Sequence, residues 1–311
     1  MIRRSWLFAP ANHERHATKA LQSQADIAVL DLEDAVAAAE KATARQYIVD
    51  LMRTRSTSRP QVFVRVNPLD GPFLFRDLQE SVIPGIHGLI LPKVESASDL
   101  ATVDWVITQL ERERGLTVGS LEVVPLVETA RGLAHVAEIA QAPARVRCLG
   151  FGAGDFSTDT LMEWSDAHGG LMWARTQLVV ASRAAGLAAP IDSVFPVLDD
   201  EPSLLAETQV VKRLGYQGKF CIHPRQITVV NAVFTPSADE VRLAQEIVAA
   251  WRRALAAGSA AIRVRGMFVD YPVAQRAESV LRFASRLGVY PENVNPAEHP
   301  QSLEGEDDRV D

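Results

Sequence analysis

Eight short runs of apolar and β-branched residues recur between Ser5 and Pro224, and this rhythm constrains the fold more than any other feature of the chain. They are SWLFAPA from Ser5, IAVLDLE from Ile27, VFVRVN from Val62, GLILPKV from Gly88, LEVVPLVE from Leu121, VRCLGFGA from Val146, IDSVFPV from Ile191 and KFCIHP from Lys219. Between them lie segments such as AEKATARQYIVDLMRT, SDLATVDWVITQLERERG and MWARTQLVVASRAAG, whose apolar residues return every three to four positions, as on one face of a helix. The short runs are almost continuously apolar, as parallel strands covered on both faces must be. Strict strand and helix alternation, eight times over, predicts an α/β fold: a (β/α)8 TIM barrel over residues 1–235, with an open doubly wound sheet as the alternative.

The pattern then changes. PSADEVRLAQEIVAAWRRALAAG opens with a capping box, Ser237 and Glu240, carries an apolar stripe of Val241, Ala244, Ile247, Val248 and Trp251, and stops at Gly258. A short extended piece, AAIRVRGMFVD, leads into a helix from near Pro272 to Gly288. Residues 236–290 therefore read as a C-terminal lid or oligomerisation segment outside the barrel. Residues 291–311, proline-rich, acidic and poor in apolar side chains, read as a flexible tail.

Charge and cysteine content narrow the function. With 32 Lys and Arg against 39 Asp and Glu the net charge is −7, which argues against nucleic acid as a partner. An anionic small ligand remains compatible, because a basic pocket can sit within an acidic protein. The two cysteines, Cys148 and Cys221, lie in apolar runs and read as core residues in a reducing cytoplasm rather than as a disulfide. The apolar patch of MIRRSWLFAPA is too short for an export signal, and no run approaches a membrane span.

In a barrel, chemistry gathers where strands end. Polar residues stand at those positions: Asp31, Glu33 and Asp34 after the second run, Arg65 and Asn67 in the third, Lys93 and Glu95 after the fourth, Glu128 after the fifth, Asp155 after the sixth and His223 in the eighth. So many carboxylates at one mouth repel unless a cation sits among them, and a hard divalent ion such as Mg2+ is the economical solution. LGFGAGDFSTD, residues 149–159, offers the rival reading of a phosphate cradle. A dinucleotide fingerprint needs G-x-G-x-x-G, but the glycines here are Gly150, Gly152 and Gly154, and Asp155 stands where the third glycine belongs. A carboxylate there would repel a pyrophosphate, so the loop reads as a holder for Asp155.

Taken together, RRSWLFAPANHERHATKALQSQADIAVLDLEDAV, VFVRVNPLDG, LILPKVES, VPLVETARGL, GFGAGDF, GKFCIHPRQI and GMFVDYPV resemble, in order and spacing, the CitE-like branch of the HpcH/HpaI aldolase and citrate lyase family. The resemblance runs from about residue 3 to about residue 285. It implies a (β/α)8 barrel, Mg2+, and a lyase that makes or breaks the carbon–carbon bond of a 3-hydroxyacyl-CoA thioester of the malyl-CoA, citramalyl-CoA or citryl-CoA type. By position, it makes Glu128 and Asp155 the metal ligands and Arg65 the substrate-binding and catalytic arginine. It makes Asp270 an acid or base reaching from the lid into a neighbouring subunit of a homotrimer or hexamer. It puts Lys19, helped by Arg15, at the CoA phosphates. The cation held by Glu128 and Asp155 would chelate the 2-oxo acid, and Arg65 would donate to the developing enolate or alkoxide oxygen. LFAPA and FSTDT are the places where the chain departs from the commoner LFVPG and a more apolar stretch.

Plainer readings stand beside these. Glu128 or Asp155 alone could be a helix-start carboxylate, Arg65 a counter-ion for Asp31, Glu33 and Asp34, His223 a hydrogen-bonded structural histidine, Lys19 a solvated surface charge and Asp270 a turn residue. Asp31, Glu33 and Asp34 read as supports for a metal site rather than ligands. Two other functions remain open: a divalent-metal aldolase acting on free 2-oxo acids, and a non-catalytic ligand-binding barrel subunit.

Overall fold

The computed structural model describes residues 2–142, 144–164 and 169–289; the tail expected over 291–311 lies outside them. The chain divides into two compact units, Arg3–Phe234 and a second built from Thr235 onward. In the first, strands and helices alternate: β1 (Ser5–Pro10), α1 (Glu14–Leu21), β2 (Ile27–Asp31), α2 (Lys41–Thr54), β3 (Gln61–Arg65), α3 (Leu74–Ser81), β4 (Gly88–Leu91), α4 (Ala97–Glu113) and β5 (Glu122–Val127). Two short helices, α5 (Ala130–Ala134) and α6 (Val136–Ala140), precede β6 (Gly150–Phe151), α7 (Ala153–Thr160), α8 (Gly170–Ala184), β7 (Ile191–Asp192), α9 (Glu201–Leu214), β8 (Gly218–Cys221) and α10 (Pro224–Phe234). The strands form a closed parallel barrel in sequence order, and β8 returns to β1 through Ser5–Lys219, Trp6–Phe220 and Leu7–Cys221. The expected TIM barrel is the observed fold.

Every second strand residue points inward. Trp6, Ile27, Val29, Phe63, Ile90, Val124, Leu126, Ile191 and Phe220 fill the interior, with Trp6 edge-on to Phe63 at 4.8 Å and to Phe220 at 5.8 Å. The barrel is thus a packed core rather than a pore. Its lower end is plugged by Arg3, whose two terminal nitrogens donate to the carboxylate of Glu122, the first residue of β5, with Cys148 Sγ 3.2 Å from the same guanidinium. The outward residues meet the helices in a second apolar layer that includes Leu7, Leu30, Val64, Leu89 and Val123. That layer also holds charge. Asp192 and Lys219, paired at 2.5 Å, are fully buried, and Arg175 Nε donates to Asp192 at 2.7 Å. Burial alone would push the Asp192 carboxyl up, but the two cations hold it below the usual carboxylate range.

Two runs form less strand than expected. VRCLGFGA keeps regular pairing only at Gly150 and Phe151, and IDSVFPV only at Ile191 and Asp192. Their backbone partners lie elsewhere: Ala153 N donates to Ser193 Oγ at 2.8 Å, and the carbonyl of Phe195 accepts from the Gln226 side chain at 2.9 Å. These side-chain bonds stand beside backbone bonds that persist outside the regular strands, such as Ile191 N to Leu149 O at 2.9 Å and Ala188 N to Arg147 O at 2.9 Å.

The second unit has its own core. α11 (Ala238–Ala256) starts with the expected Ser237–Glu240 capping box. The piece expected to be simply extended is a hairpin, β9 (Ile262–Val264) with β10 (Met267–Val269), turned by Arg265 and Gly266, both at positive φ. α12 (Tyr271–Arg286) follows. Val241, Ala244, Ile247, Val248 and Trp251 pack on Val264, Val269, Ala274, Ala277, Leu281 and Ala284, so the apolar stripe of α11 is covered within the unit itself.

Barrel closure depends on close backbone approach at Gly218, where a Cβ would overlap the carbonyls of Arg3 and Arg4. Neither neighbour is the free end of a side chain. Gly218→Ala should lower stability by about 1–3 kcal/mol, read as a shift of the urea midpoint without a change in slope.

Candidate active site

The alternation that fills the barrel also arms its upper end. Asp31 follows Val29 by two residues, Arg65 follows Phe63 and Glu128 follows Leu126, so each continues the inward face beyond the last apolar layer. Asp31 and Arg65 are direct partners in the register of β2 and β3. Arg65 Nε and Nη2 therefore reach both oxygens of Asp31, at 2.7 and 2.6 Å, while Nη1 pairs with Glu33 Oε2 at 2.7 Å. The guanidinium also lies over the Phe8 ring, 5.0 Å from its centroid. Burial works against its charge, but Asp31, Glu33 and Glu128 more than compensate and hold it protonated. Two of its five N–H groups hydrogen-bond Asp31, Nη1 meets Glu33 as an ion pair that leaves Glu33 Oε2 without a hydrogen bond, and the residue lines the cavity. Arg65 is thus both the counter-ion of the acidic cluster and a wall of the site.

Glu128 is 2% exposed. Its carboxyl is pushed well above the usual carboxylate range, first by burial and then by Glu33 and Asp155. Oε1 accepts the main-chain N–H of Lys93 at 2.9 Å. Asp155 belongs to the first turn of α7 rather than to a strand end, because β6 stops at Phe151; there the N-terminal helix dipole favours its charge. Gly152 answers the question raised by the glycine-rich loop: a Cβ at this position would overlap Glu128 Oε2. The loop supplies room for a carboxylate, not a cradle for phosphate.

A cavity of about 670 Å3 opens over these groups, lined by Phe8, Pro10, Asp31, Asp34, Arg65, Glu128, Gly152, Asp155, Trp164, Ser193 and Ile222 among others. A smaller one, about 230 Å3, shares Phe8, Ala9, Pro10 and Ile222 with it and is walled by His16, Lys19 and His223. The structure therefore brings Arg65, Glu128 and Asp155 together and places Lys19 beside them. Arg15 is exposed on α1 and lines neither cavity. His223 Nδ1 accepts the N–H of Arg225 at 3.2 Å, a structural role. Asp270 belongs to the other unit, where it caps α12 by accepting the Val273 N–H at 3.3 Å. Lys93 had no role in the sequence reading, yet its Nζ lies 2.6 Å from Glu33 and 3.5 Å from Asp155.

The donor set fits a hard divalent ion. Four carboxyl groups, Asp31, Glu33, Glu128 and Asp155, gather here with only two cations, Arg65 and Lys93, among them. Asp31 and Glu33 take the short ion pairs; Asp155 has only the longer one to Lys93, at 3.5 Å, and Glu128 is held by a main-chain N–H rather than by a cation. Among the described residues no group of three or more His, Cys, Asp and Glu is arranged around one metal position. Two carboxylates with open space beside them suit Mg2+, which keeps several water or substrate oxygens, and not a four-ligand zinc site.

A closed barrel with a carboxylate-rich mouth and an adjoining pocket walled by His16, Lys19 and His223 defines a class of ligand-binding α/β enzyme folds, and comparison with known proteins makes it specific. Residues 4–224 match the family model for HpcH/HpaI aldolase/citrate lyase. Citrate lyase subunit beta of Leuconostoc mesenteroides subsp. cremoris is 37% identical over 284 residues, which cover 91% of this chain and 94% of the relative. L-malyl-CoA/beta-methylmalyl-CoA lyase of Cereibacter sphaeroides is 35% identical over 308 residues, covering 91% and 95%. The solved structure of CitE from Mycobacterium tuberculosis, in complex with magnesium, acetoacetate and coenzyme A, matches at a TM-score of 0.75 and 30% identity over 91% of this chain and 98% of that one. The chain belongs to the HpcH/HpaI aldolase/citrate lyase family.

Gly152→Ala should displace the Glu128 carboxylate while leaving the strands in place. Calorimetry should then give Mg2+ affinity reduced about tenfold or more.

Proposed function

We propose that this protein is a Mg2+-dependent lyase of CoA thioesters, which makes or breaks the bond between the α-carbon of an acyl-CoA and the keto carbon of a 2-oxo acid. The observation that carries the reading is the meeting of Glu128, Asp155 and Arg65 in one cavity that continues into a pocket walled by Lys19. Kinship with a citrate lyase beta subunit and a malyl-CoA lyase supports the substrate class.

In this reading Glu128 and Asp155 hold Mg2+, which when bound supplies Lewis-acid stabilisation of the oxo acid's oxygens. Cleavage removes the proton of the 3-hydroxyl, breaks the C2–C3 bond and leaves an acyl-CoA enolate, which is then protonated at carbon. Arg65, fixed by Asp31 and Glu33, is already oriented to donate to the oxygen where charge develops. The side pocket receives the CoA arm, with Lys19 in its wall as the cation for the phosphates, helped by Arg15, which lies outside the pocket, exposed on the same helix. A coupled assay of acetyl-CoA and propionyl-CoA against glyoxylate, pyruvate and oxaloacetate, with and without Mg2+, tests the proposal. One pair should turn over only with the metal, and Arg65→Lys should lower that kcat about 100-fold, since lysine keeps the charge but loses the planar fork. Turnover of a free 2-oxo acid without CoA would assign the aldolase reading instead.

The reading extends to a homotrimer or hexamer in which Asp270 acts as acid or base in a neighbouring subunit, and to the cytoplasm. Phe268 and Tyr271, which flank Asp270, are 64% and 59% exposed, a surface suited to docking. Cys148 and Cys221 are buried free thiols, which a reducing compartment maintains. Among the described residues no helix is long and apolar enough to cross a membrane. Asp270→Asn mixed with Glu128→Gln, each inactive alone, should regain activity after partial unfolding and reassembly. Demonstrably mixed oligomers that stay inactive, or an active monomer by light scattering, count against the shared site.

A further inference from the structure

The carboxylates at the mouth are not scattered. They form a line of alternating charge: Asp31 to Arg65 at 2.6 Å, Arg65 to Glu33 at 2.7 Å, Glu33 to Lys93 at 2.6 Å and Lys93 to Asp155 at 3.5 Å. The first three links are short and largely shielded from water. The last is the longest and joins the two most exposed members, Lys93 at 34% and Asp155 at 39%. Lys93 Nζ hydrogen-bonds Glu33 but only leans towards Asp155.

The backbone of Lys93 is set for this position. Its φ of 51° lies in the left-handed region that a lysine seldom adopts, directly after Pro92 at the end of β4. In that conformation the main-chain N–H meets Glu128 Oε1 at 2.9 Å while the side chain turns to Glu33 and Asp155. One residue therefore touches both Glu128 and Asp155, the first through its backbone and the second through its ammonium. Strain at a functional site is retained when the surroundings over-determine it, and here three carboxylates do so.

We infer that Lys93 is a built-in counter-ion for the metal site: its ammonium balances Asp155 when no divalent cation is bound and yields that carboxylate when one arrives, staying anchored on Glu33, while its N–H keeps Glu128 aimed. Lys93 is thus a positioning residue, not a catalytic one. The inference rests on the reading of Glu128 and Asp155 as metal ligands. Physically, a fixed positive charge 3.5 Å from Asp155 opposes an incoming cation, so the site trades affinity for a stable metal-free form.

Mg2+ titration by calorimetry at one pH, with thermal melts in a chelator and in saturating Mg2+, tests this without reference to turnover. Lys93→Gln and Lys93→Met, two neutral variants, should bind Mg2+ about tenfold more tightly than the native protein. They should melt lower in chelator and gain more from added Mg2+. Lys93→Arg, which keeps the charge, should stay near the native affinity. Equal or weaker Mg2+ binding by both folded neutral variants overturns the counter-ion role. Native Mg2+ affinity in Glu128→Gln and in Asp155→Asn overturns the ligand reading beneath it, so the two failures are told apart.

Discussion

Glu128 carries its carboxyl to a place where water reaches almost none of it, and the upper end of the barrel is arranged around that fact. A buried ionised carboxylate is expensive, and burial together with two like charges pushes this carboxyl well above its usual range. The neighbours relieve only part of that cost: an N–H from Lys93, the field of Arg65, and the space left by Gly152. Removing any of these makes the position harder to hold. A doubly charged ion bound there, as proposed above, would offset the rest.

The same structural rule produces both ends of the barrel. Along β5 the inward positions read Glu122, Val124 and Leu126, with Glu128 next, so one strand places a carboxylate at the floor, two apolar residues in the middle and a second carboxylate at the mouth. At the floor Arg3 matches the charge completely with two hydrogen bonds. At the mouth the matching is left short. The contrast between a neutralised carboxylate and an under-neutralised one, six residues apart on one strand, separates structure from chemistry in this protein.

Much of this was legible in the sequence. The eight apolar runs predict the barrel because their periodicity is local, and the capping box at Ser237 predicts α11 for the same reason. Glu128, Asp155 and Arg65 stand out because strand ends are where a barrel places polar residues. Applying strand parity would have gone further: counting by twos from Phe63 and Leu126 points Arg65 and Glu128 inward. Other features depend on contacts between distant residues. Nothing within LILPKVES states that Lys93 will turn left-handed and bridge Glu33 and Asp155, which lie 60 residues before and 62 after it. The side-chain bonds of Ser193 and Gln226 beyond β6 and β7 likewise join residues far apart in the chain. Asp270 shows the opposite limit: its cap on α12 is a sufficient local reason for an aspartate, whatever else it does.

The return of β8 to β1 has a consequence for how the chain comes into being. The first strand synthesised finds its second neighbour only when Lys219 to Cys221 have been made, and Arg3 must wait for Glu122, 119 residues later, before its charge is answered. Until then β1 has an open hydrogen-bonding edge at the foot of an unfinished wall, the kind of exposed edge that invites pairing with another chain. Contacts this far apart are slow to form because the loop between them must close first. A chain truncated before Cys221 would keep that edge permanently, so for this barrel length is a requirement: the last strand completes the first.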